Sequence, residues 1–370
     1  MLSPAIRKSF NFNWSMAFNY FNSVDETIGF TPIIKLQSIS AQVNSNVYAK
    51  FESYNPGHSA KDRIALYIIN KAEREGKLKP GGTIIECTSG NTGRSLAMIG
   101  GHRGYKCIFT VPNKISEEKK RILVALGAEV HVCPSSVKPE DPRSYYSQAQ
   151  FFADSIPNSY FVNQYYNMDN VDAHYHLTGP EIWNQTNGEI THFIACSGSG
   201  GTLSGTSKYL KERNPEIRII GIDAYGSVLK KYFEEGIFDQ SIIKPYALEG
   251  VGKNIIPKTF ITTYLDQMVQ VKDQLAIKRA LKLTAEEGLM IGPSGGAAIQ
   301  GVFEIRKDLL PTDQILIVVP DHGSLYLSKL YDDAWMNENV YHKPKKNKYG
   351  LPSYHHMKKL LNGIYESYKQ

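Results

Sequence analysis

The chain has 370 residues, of which 42% are hydrophobic and 21% charged, as in an ordinary globular protein with one large domain or two lobes. Its net charge is +6, and residues 343–370, with seven lysines and one acid, carry a net charge of the same size. The rest of the chain is therefore neutral overall, which argues against a nucleic-acid-binding body, and no apolar stretch is long enough to predict a transmembrane helix.

Short apolar segments alternate with helical patterns from residue 46 onward. Strands are predicted at 46–52, 83–87, 105–111, 129–133, 191–196, 217–223 and 314–319. Helices are predicted at 60–73, 92–101, 116–126, 144–153, 171–184, 201–213, 273–287 and 295–306. Such alternation is typical of parallel sheets that helices cover on both faces. We therefore predict an α/β fold of two lobes, each a mostly parallel twisted sheet flanked by helices, with a boundary near residues 150–170.

The two ends of the chain differ from this body. Residues 1–25 hold six aromatic side chains and a single acid, and they lack the apolar run of a secretory signal. We predict an aromatic arm here, which packs on the body or on a partner subunit, and a basic tail at residues 336–370. The cysteines have no metal-binding spacing, so we predict no metal site, a cytoplasmic location and buried free thiols at Cys87, Cys107, Cys133 and Cys196.

Lys61 follows a predicted strand and a Pro56-Gly57 turn, and it lies in the first turn of a predicted helix that Ser59 can cap. The helix dipole is positive at this end, so it lowers the pKa of a lysine amine and makes the amine a better nucleophile. Such an amine can anchor an aldehyde cofactor covalently. It can equally be a surface lysine paired with Asp62 or Glu52, and this loop alone does not decide between the two.

Two polar loops each connect a predicted strand to a helix. In the first, residues 88–93 (Thr-Ser-Gly-Asn-Thr-Gly), backbone N–H groups and hydroxyls can converge on a carboxylate, although Ser, Thr and Asn are also ordinary helix caps. The second, residues 197–202 (Ser-Gly-Ser-Gly-Gly-Thr), has three glycines that allow close approach to a phosphate. Asp223 ends the next strand, which makes a dinucleotide site a rival. A phosphate monoester fits better, because Lys61 supplies an aldehyde anchor that a nicotinamide cofactor does not need.

Two further motifs lie downstream. Ser294 follows Gly292-Pro293 at a predicted turn into a helix, where a neutral hydroxyl facing a pyridine nitrogen would leave that nitrogen unprotonated. Residues 319–323 (Val-Pro-Asp-His-Gly) end the last predicted strand, at the sheet edge where ligands of α/β proteins collect. This last motif is equally well explained as a plain turn.

As an ordered set, these motifs resemble those of the pyridoxal-phosphate-dependent β-replacement enzymes, the cystathionine β-synthase and cysteine synthase family. The match runs from Glu26 to Trp335. The resemblance implies a fold type II enzyme that is homodimeric and has a catalytic domain at residues 26–335. It implies that Lys61 forms the internal Schiff base and removes the substrate's α-proton, that Asn91 binds the ring oxygen, that Ser294 faces the ring nitrogen and that Pro320 lies near the ring.

Further site residues follow from the same resemblance. The cofactor phosphate is assigned to Gly198, Ser199, Gly200, Gly201 and Thr202. The substrate carboxylate is assigned to Thr88, Ser89, Thr92 and Gln164. Gly250, in Gly250-Val251-Gly252, is assigned to a loop that closes over the substrate.

The implied reaction is replacement at the β-carbon of serine or an activated serine by a thiol or sulfide. The leading hypothesis is serine plus homocysteine to cystathionine, and the alternative is cysteine from O-acetylserine and sulfide. Two residues depart from the family and leave the second substrate open. His58 stands where small residues are usual, and Lys253 stands where cystathionine β-synthases commonly have Tyr or an acid and cysteine synthases a small residue.

Three other classes compete with these hypotheses. A lyase would release a keto acid without a thiol, a non-catalytic relative would bind a partner only, and a nicotinamide oxidoreductase would use a different cofactor. The sequence has no haem-binding Cys-His segment before the core and ends before the paired regulatory domains of larger cystathionine β-synthases. We therefore expect regulation of that type to be absent.

Overall fold

The structure is a computed structural model that describes residues 20–138 and 140–341. Most of the predicted aromatic arm and most of the predicted basic tail lie outside the described residues. Within them the strands are β1 Ile33–Lys35, β2 Asn46–Phe51, β3 Thr83–Cys87, β4 Lys106–Pro112, β5 Glu129–Cys133, β6 Ser159–Phe161, β7 His192–Cys196, β8 Arg218–Ala224, β9 Gln267–Val271 and β10 Gln314–Val319.

Helices connect these strands. They are α1 Gln37–Val43, α2 Lys61–Arg74, α3 Asn91–His102, α4 Glu117–Ala125, α5 Tyr145–Ser155, α6 Asp169–Ala173, α7 Gly179–Gln185, α8 Gly201–Arg213, α9 Leu229–Glu235, α10 Asp273–Glu287, α11 Pro293–Glu304 and α12 Asp333–Asn339. None of the helices in the described part of the chain is both long and apolar enough to span a bilayer.

The strands form two sheets, which confirms the predicted α/β class. The larger sheet has the order β1-β2-β10-β7-β8-β9, and the smaller has the order β5-β4-β3-β6. Every neighbouring pair is parallel except β1 with β2, which is antiparallel. The central strands β3 and β7 are buried at every position, as expected when helices cover both faces of a parallel sheet.

The larger sheet contains both the first and the last strands of the described chain. Strand β2, near the start, pairs in parallel with β10, near the end, so that Phe51 lies opposite Val319. The smaller sheet contains β3 to β6, which follow β2 in the chain. The parallel pairing places the loop after β2, which carries Lys61, next to the loop after β10, which begins at Pro320.

The segment predicted as one helix at 171–184 is interrupted. A π-helical turn, His174–Thr178, lies between α6 and α7. Pro180 has no backbone N–H to donate to the carbonyl four residues earlier, which favours a wider local hydrogen-bond pattern. The interruption brings His174 against the start of α8.

All four cysteines are free and buried, as predicted. Their surroundings are the apolar cores of the two sheets, where Cys87 and Cys107 pack under the smaller sheet and Cys196 under the larger one. Burial raises the pKa of the Cys107 thiol to about 12, so this group is an inert core side chain at neutral pH.

Candidate active site

The loop that carries Lys61 is fixed by both of its neighbours. Ala60 N–H donates to the Pro320 carbonyl at 2.9 Å, which ties the loop to the end of β10. Gly57 N–H donates to the Asp62 carboxylate at 2.5 Å. Helix α2 begins at Lys61, one residue later than predicted, and the Ser59 hydroxyl accepts from Lys61 N–H at 3.3 Å. The first helical turn therefore holds Lys61 at the mouth of α2.

The amine of Lys61 has no hydrogen bond or ion pair with any residue that the structure describes. The two acids that would make it a surface ion pair are engaged elsewhere. Asp62 accepts from Gly57 N–H, and Glu52 pairs with Arg63 at 2.6 Å. Burial lowers the pKa of the Lys61 amine; Asp321 opposes this shift and the positive charge of Lys253 adds to it. Lys61 therefore has a partly buried amine that loses its proton more readily than an ordinary lysine amine.

The loop at 88–93 joins the end of β3 to α3. Gly90 N–H donates to the Thr88 hydroxyl at 3.3 Å, which closes a tight turn. The Thr92 hydroxyl donates to the Gln164 side-chain carbonyl at 2.7 Å. The structure thus brings together residues from β3–α3 and from the segment after β6 that the sequence placed in one carboxylate site.

The glycines of the loop at 197–202 let it pack closely against two other segments of the chain. A Cβ on Gly198 would lie 2.7 Å from the Gly250 carbonyl oxygen, and one on Gly200 would lie 2.6 Å from Phe260 Cα. Gly200 also has a φ of +94°, in the left-handed region that favours glycine. Helix α8 begins at Gly201, so its free N–H groups and positive dipole end face this loop. The loop can therefore hold a phosphate group.

One cavity of about 330 Å³ gathers nearly all predicted site residues. It lies between the strand ends of the two sheets. Gly201 is the exception, because it is buried behind the lining. The predicted residues that line the cavity are Lys61, Thr88, Ser89, Asn91, Thr92, Gln164, Gly198, Ser199, Gly200, Thr202, Gly250, Ser294 and Pro320.

Ser294 and Asn91 meet this cavity in different ways. Ser294 is 2% exposed, and its hydroxyl has no hydrogen-bond partner among the described residues. It is therefore free to face a ligand nitrogen. Asn91 donates its amide N–H to Asp321 at 2.8 Å. The amide NH2 of Asn91 has a second N–H, which a ring oxygen of a ligand can accept.

Asp321 is a site residue that the sequence left undecided, since its motif read equally well as a turn. It is 2% exposed, and one carboxylate oxygen accepts from Asn91 and from the Tyr326 hydroxyl, the latter at 2.6 Å. Its other oxygen is buried without a partner in the described structure. Burial raises the pKa of Asp321. Its position at the end of β10 was the available signal.

Three further groups support the site and were missed. Asn170 donates to the Ser199 hydroxyl at 3.2 Å, and a hydrogen bond of 3.0 Å joins His174 Nε2 and the Thr202 hydroxyl. Burial lowers the pKa of His174, so the ring is neutral. Glu86 accepts from Gln164 N–H at 3.1 Å, and burial raises its pKa to about 7. Neither helical nor strand periodicity signals such contacts.

The donor set fits a ligand with an aldehyde, a phosphate and a ring nitrogen. Lys61 offers the unpaired amine, the 197–202 loop a glycine cradle and Ser294 a free hydroxyl. The described residues contain no group of three or more His, Cys, Asp or Glu that could hold a metal ion. The amine, the glycine cradle and the hydroxyl together fit an organic phosphate cofactor.

Comparison with known proteins identifies that cofactor. Residues 24–321 match the family described as pyridoxal-phosphate dependent enzyme. The chain is 41% identical over 319 residues to the cystathionine beta-synthase of Apis mellifera, a match that covers 86% of this chain and 62% of that protein. It is 38% identical to the cysteine synthase of Staphylococcus aureus, over 85% of this chain and 97% of that protein.

A solved structure agrees with these relatives. The O-acetylserine dependent cystathionine beta-synthase from Helicobacter pylori superposes with a TM-score of 0.76 at 38% identity, and the match covers 84% of this chain and 99% of that chain. The chain spans less than two-thirds of the length of the Apis mellifera relative. The predicted family and cofactor are confirmed. The chain belongs to the pyridoxal-phosphate-dependent enzymes that include the cystathionine β-synthases and cysteine synthases.

Proposed function

We propose that the protein catalyses β-replacement on serine, in which the thiol of homocysteine displaces the hydroxyl to give cystathionine and water. The observation that carries this proposal is the unpaired amine of Lys61, enclosed in one cavity with the loops at 88–93 and 197–202. The alternative is cysteine formation from O-acetylserine and sulfide. It is favoured by relatives named cysteine synthase, such as the one from Staphylococcus aureus.

The residues of the cavity have distinct roles in this proposal. Gly198–Thr202 hold the cofactor phosphate, and Ser294 faces the ring nitrogen. When bound, pyridoxal phosphate withdraws electrons from the α-carbon of the amino acid. Thr88, Ser89, Thr92 and Gln164 hold the carboxylate of that amino acid.

Lys61 then moves the proton. Its lowered pKa leaves more of the amine neutral near physiological pH, as a general base requires. The amine takes the α-proton of the amino acid and gives a proton to the departing hydroxyl, which leaves as water. The thiol then gives its proton to the neutral Lys61 amine as its sulfur bonds to the β-carbon, and Lys61 returns that proton to the α-carbon. Because the loops hold both the cofactor phosphate and the substrate carboxylate, much of the catalysis is orientation and electrostatics.

The proposal includes a homodimer in the cytoplasm. Support for a second copy comes from the apolar side chains near the start of the described chain, where Phe30 is 90% exposed and Phe21 is 66% exposed. Sedimentation of the purified chain tests this part. The catalytic unit is taken as residues 26–335, with the arm and the tail outside it.

The test crosses two donors, serine and O-acetylserine, with two acceptors, homocysteine and sulfide. We expect cystathionine by mass spectrometry from serine and homocysteine. Lys61→Ala should lower turnover by about 10²–10⁴-fold, because it removes the general base, and should also remove the absorbance of covalently attached cofactor. Lys258→Ala, at an exposed lysine outside the cavity, is the matched control.

Two results would count against the proposal. Product from O-acetylserine and sulfide alone would favour the cysteine synthase alternative. Release of a keto acid without any thiol would place the chain among the lyases instead. The relative from Helicobacter pylori, described as O-acetylserine dependent, is the reason that donor and acceptor are varied independently.

A further inference from the structure

Lys253 enters the cavity from a backbone that is firmly held. The Ser227 hydroxyl donates to the Lys253 carbonyl at 2.9 Å and accepts from Lys253 N–H at 2.9 Å. Val228 N–H, at the start of α9, donates to the same carbonyl at 3.0 Å. Gly252, just before it, has a φ of +74°. These backbone hydrogen bonds position Lys253 so that its side chain lines the cavity.

The ammonium of Lys253 has a neutral partner. Its Nζ donates to the Tyr165 hydroxyl at 2.8 Å and lies 4.4 Å from the centroid of that ring. No carboxylate of the described residues forms an ion pair with it. The one glutamate that lines the cavity, Glu249, is already held between Lys119 and Lys329. Burial lowers the pKa of Lys253, as expected for a cation without a counterion.

Unused donors surround this contact. An ammonium has three N–H groups and a phenol has one O–H. Within the described structure, one N–H of Lys253 is spent on Tyr165 and the phenol O–H has no acceptor. Tyr165 is itself fixed, because its carbonyl accepts from Thr259 N–H at 3.3 Å. The pair thus offers several convergent donors and a positive charge to an anion with two oxygens.

The anion is not the donor amino acid's carboxylate, since the proposed function assigns that group to the 88–93 loop and Gln164. The cofactor phosphate is assigned to the 197–202 loop. What remains is the second substrate. A hydrosulfide ion has no oxygen to accept from Lys253 and Tyr165, whereas a carboxylate accepts from both.

We propose that Lys253, together with Tyr165, binds the carboxylate of the thiol acceptor and so selects a carboxylate-bearing thiol over sulfide. This inference rests on the proposed β-replacement and assigns a specificity-determining residue to it. It agrees with homocysteine as acceptor. Lys258, the next lysine in the chain, cannot share this role, because it is exposed and lies outside the cavity.

Binding of two unreactive probes to the holoenzyme tests the inference without turnover. The probes are 3-(methylthio)propanoate and 3-(methylthio)propan-1-ol, which differ in the presence of the carboxylate. Calorimetry should show that the wild type prefers the carboxylate by about tenfold to hundredfold in Kd, as expected for charge-assisted hydrogen bonds. Lys253→Met should remove that preference, Lys253→Arg should retain most of it, and Lys258→Met should leave it unchanged.

Turnover with 3-mercaptopropionate and 3-mercaptopropan-1-ol on the same donor gives the second measurement. The ratio of their kcat/KM values should fall by the same factor in Lys253→Met. Equal Kd values for the two probes in the wild type would overturn the inference, even if cystathionine is formed. So would an equal loss for both probes in Lys253→Met, because it would mean a merely structural role. A carboxylate preference in a protein that makes no cystathionine would sink the proposed function and leave this site standing.

Discussion

His58 holds a backbone conformation that disfavours a side chain. Its φ is +60°, in the left-handed region, and its carbonyl accepts from His322 N–H at 3.3 Å. A Cβ there costs about 1–2 kcal/mol, and glycine avoids that cost while losing more chain entropy on folding. We therefore expect His58→Gly to be more stable than His58→Ala by about 1 kcal/mol in urea unfolding. Both changes remove the imidazole, so the difference reports the backbone alone.

The same pair of substitutions at Lys258 is the control. Lys258 is exposed and is not among the positive-φ residues, so glycine has no conformational advantage there. An alanine variant at position 58 as stable as the glycine variant would contradict the strain argument.

Lys61 illustrates what the sequence could and could not predict about a single residue. The sequence predicts a lowered pKa from its place at a helix start, but the largest cause in the structure is burial; Asp321 opposes the shift and Lys253 adds to it. Those two residues lie far along the chain. Their approach depends on the pairing of β2 with β10 and on the loop after Gly250, which no local pattern reveals.

At the scale of elements, a buried charge cluster joins α2, β2 and α7 beneath the site. Arg63 on α2 pairs with Glu52 at 2.6 Å and with Glu181 at 2.7 Å, and Lys50 on β2 also pairs with Glu181. The four charges balance. We expect Glu52→Gln to lower the free energy of unfolding by about 3 kcal/mol, because it leaves the buried Arg63 half paired. Urea unfolding at neutral pH measures this, with the surface acid change Glu75→Gln as control.

The pH dependence of this loss has a definite sign. Burial alone would raise the pKa of Glu52, but Arg63, Lys50 and the Thr31 hydroxyl together more than offset it, and the pKa lies below its ordinary value of 4.5. The charged form thus stabilises the fold above pH 4.5, and this contribution is lost as the pH falls through the folded pKa. The stability gap between wild type and Glu52→Gln should therefore narrow below pH 4.5. A constant gap down to acid unfolding would show that Glu52 acts through packing.

Elements with strong local patterns were predicted well. The bounds of β3, β5, β10, α8 and α10 agree with the sequence analysis, because continuous apolar runs and regular helical spacing mark them. Short elements without such patterns were not predicted. Strands β1 and β6 have three residues each, and their pairing is set by the neighbouring strand rather than by their own composition. Strand β9 and helices α1, α9 and α12 were missed as well.

At the scale of the whole molecule, the cavity lies between the two sheets. The carboxylate of Glu249 helps to connect the segments that follow them. Glu249 accepts from Lys119 on α4, which follows the smaller sheet, and from Lys329 after β10, at 2.5 Å. These partners hold the pKa of Glu249 below its ordinary value, although burial opposes them. Glu249 directly precedes Gly250, so the contact also positions the loop that covers the 197–202 cradle. Ion pairs thus connect the loop at 249–252 to both sides of the cavity.

We expect Glu249→Gln to loosen this loop more than it destabilises the fold. The three side chains are 18% to 32% exposed, so the ion pairs contribute about 1 kcal/mol or less to global stability. Amide exchange at residues 249–253 should nevertheless become faster, because the loop loses its tie to α4 and to Lys329. Hydrogen exchange with mass spectrometry measures it, with Glu234→Gln, which breaks a 3.5 Å surface pair with Lys230, as control. Unchanged exchange at 249–253 would mean that the Gly252 N–H bond to the Ser197 carbonyl, at 2.7 Å, holds the loop without Glu249.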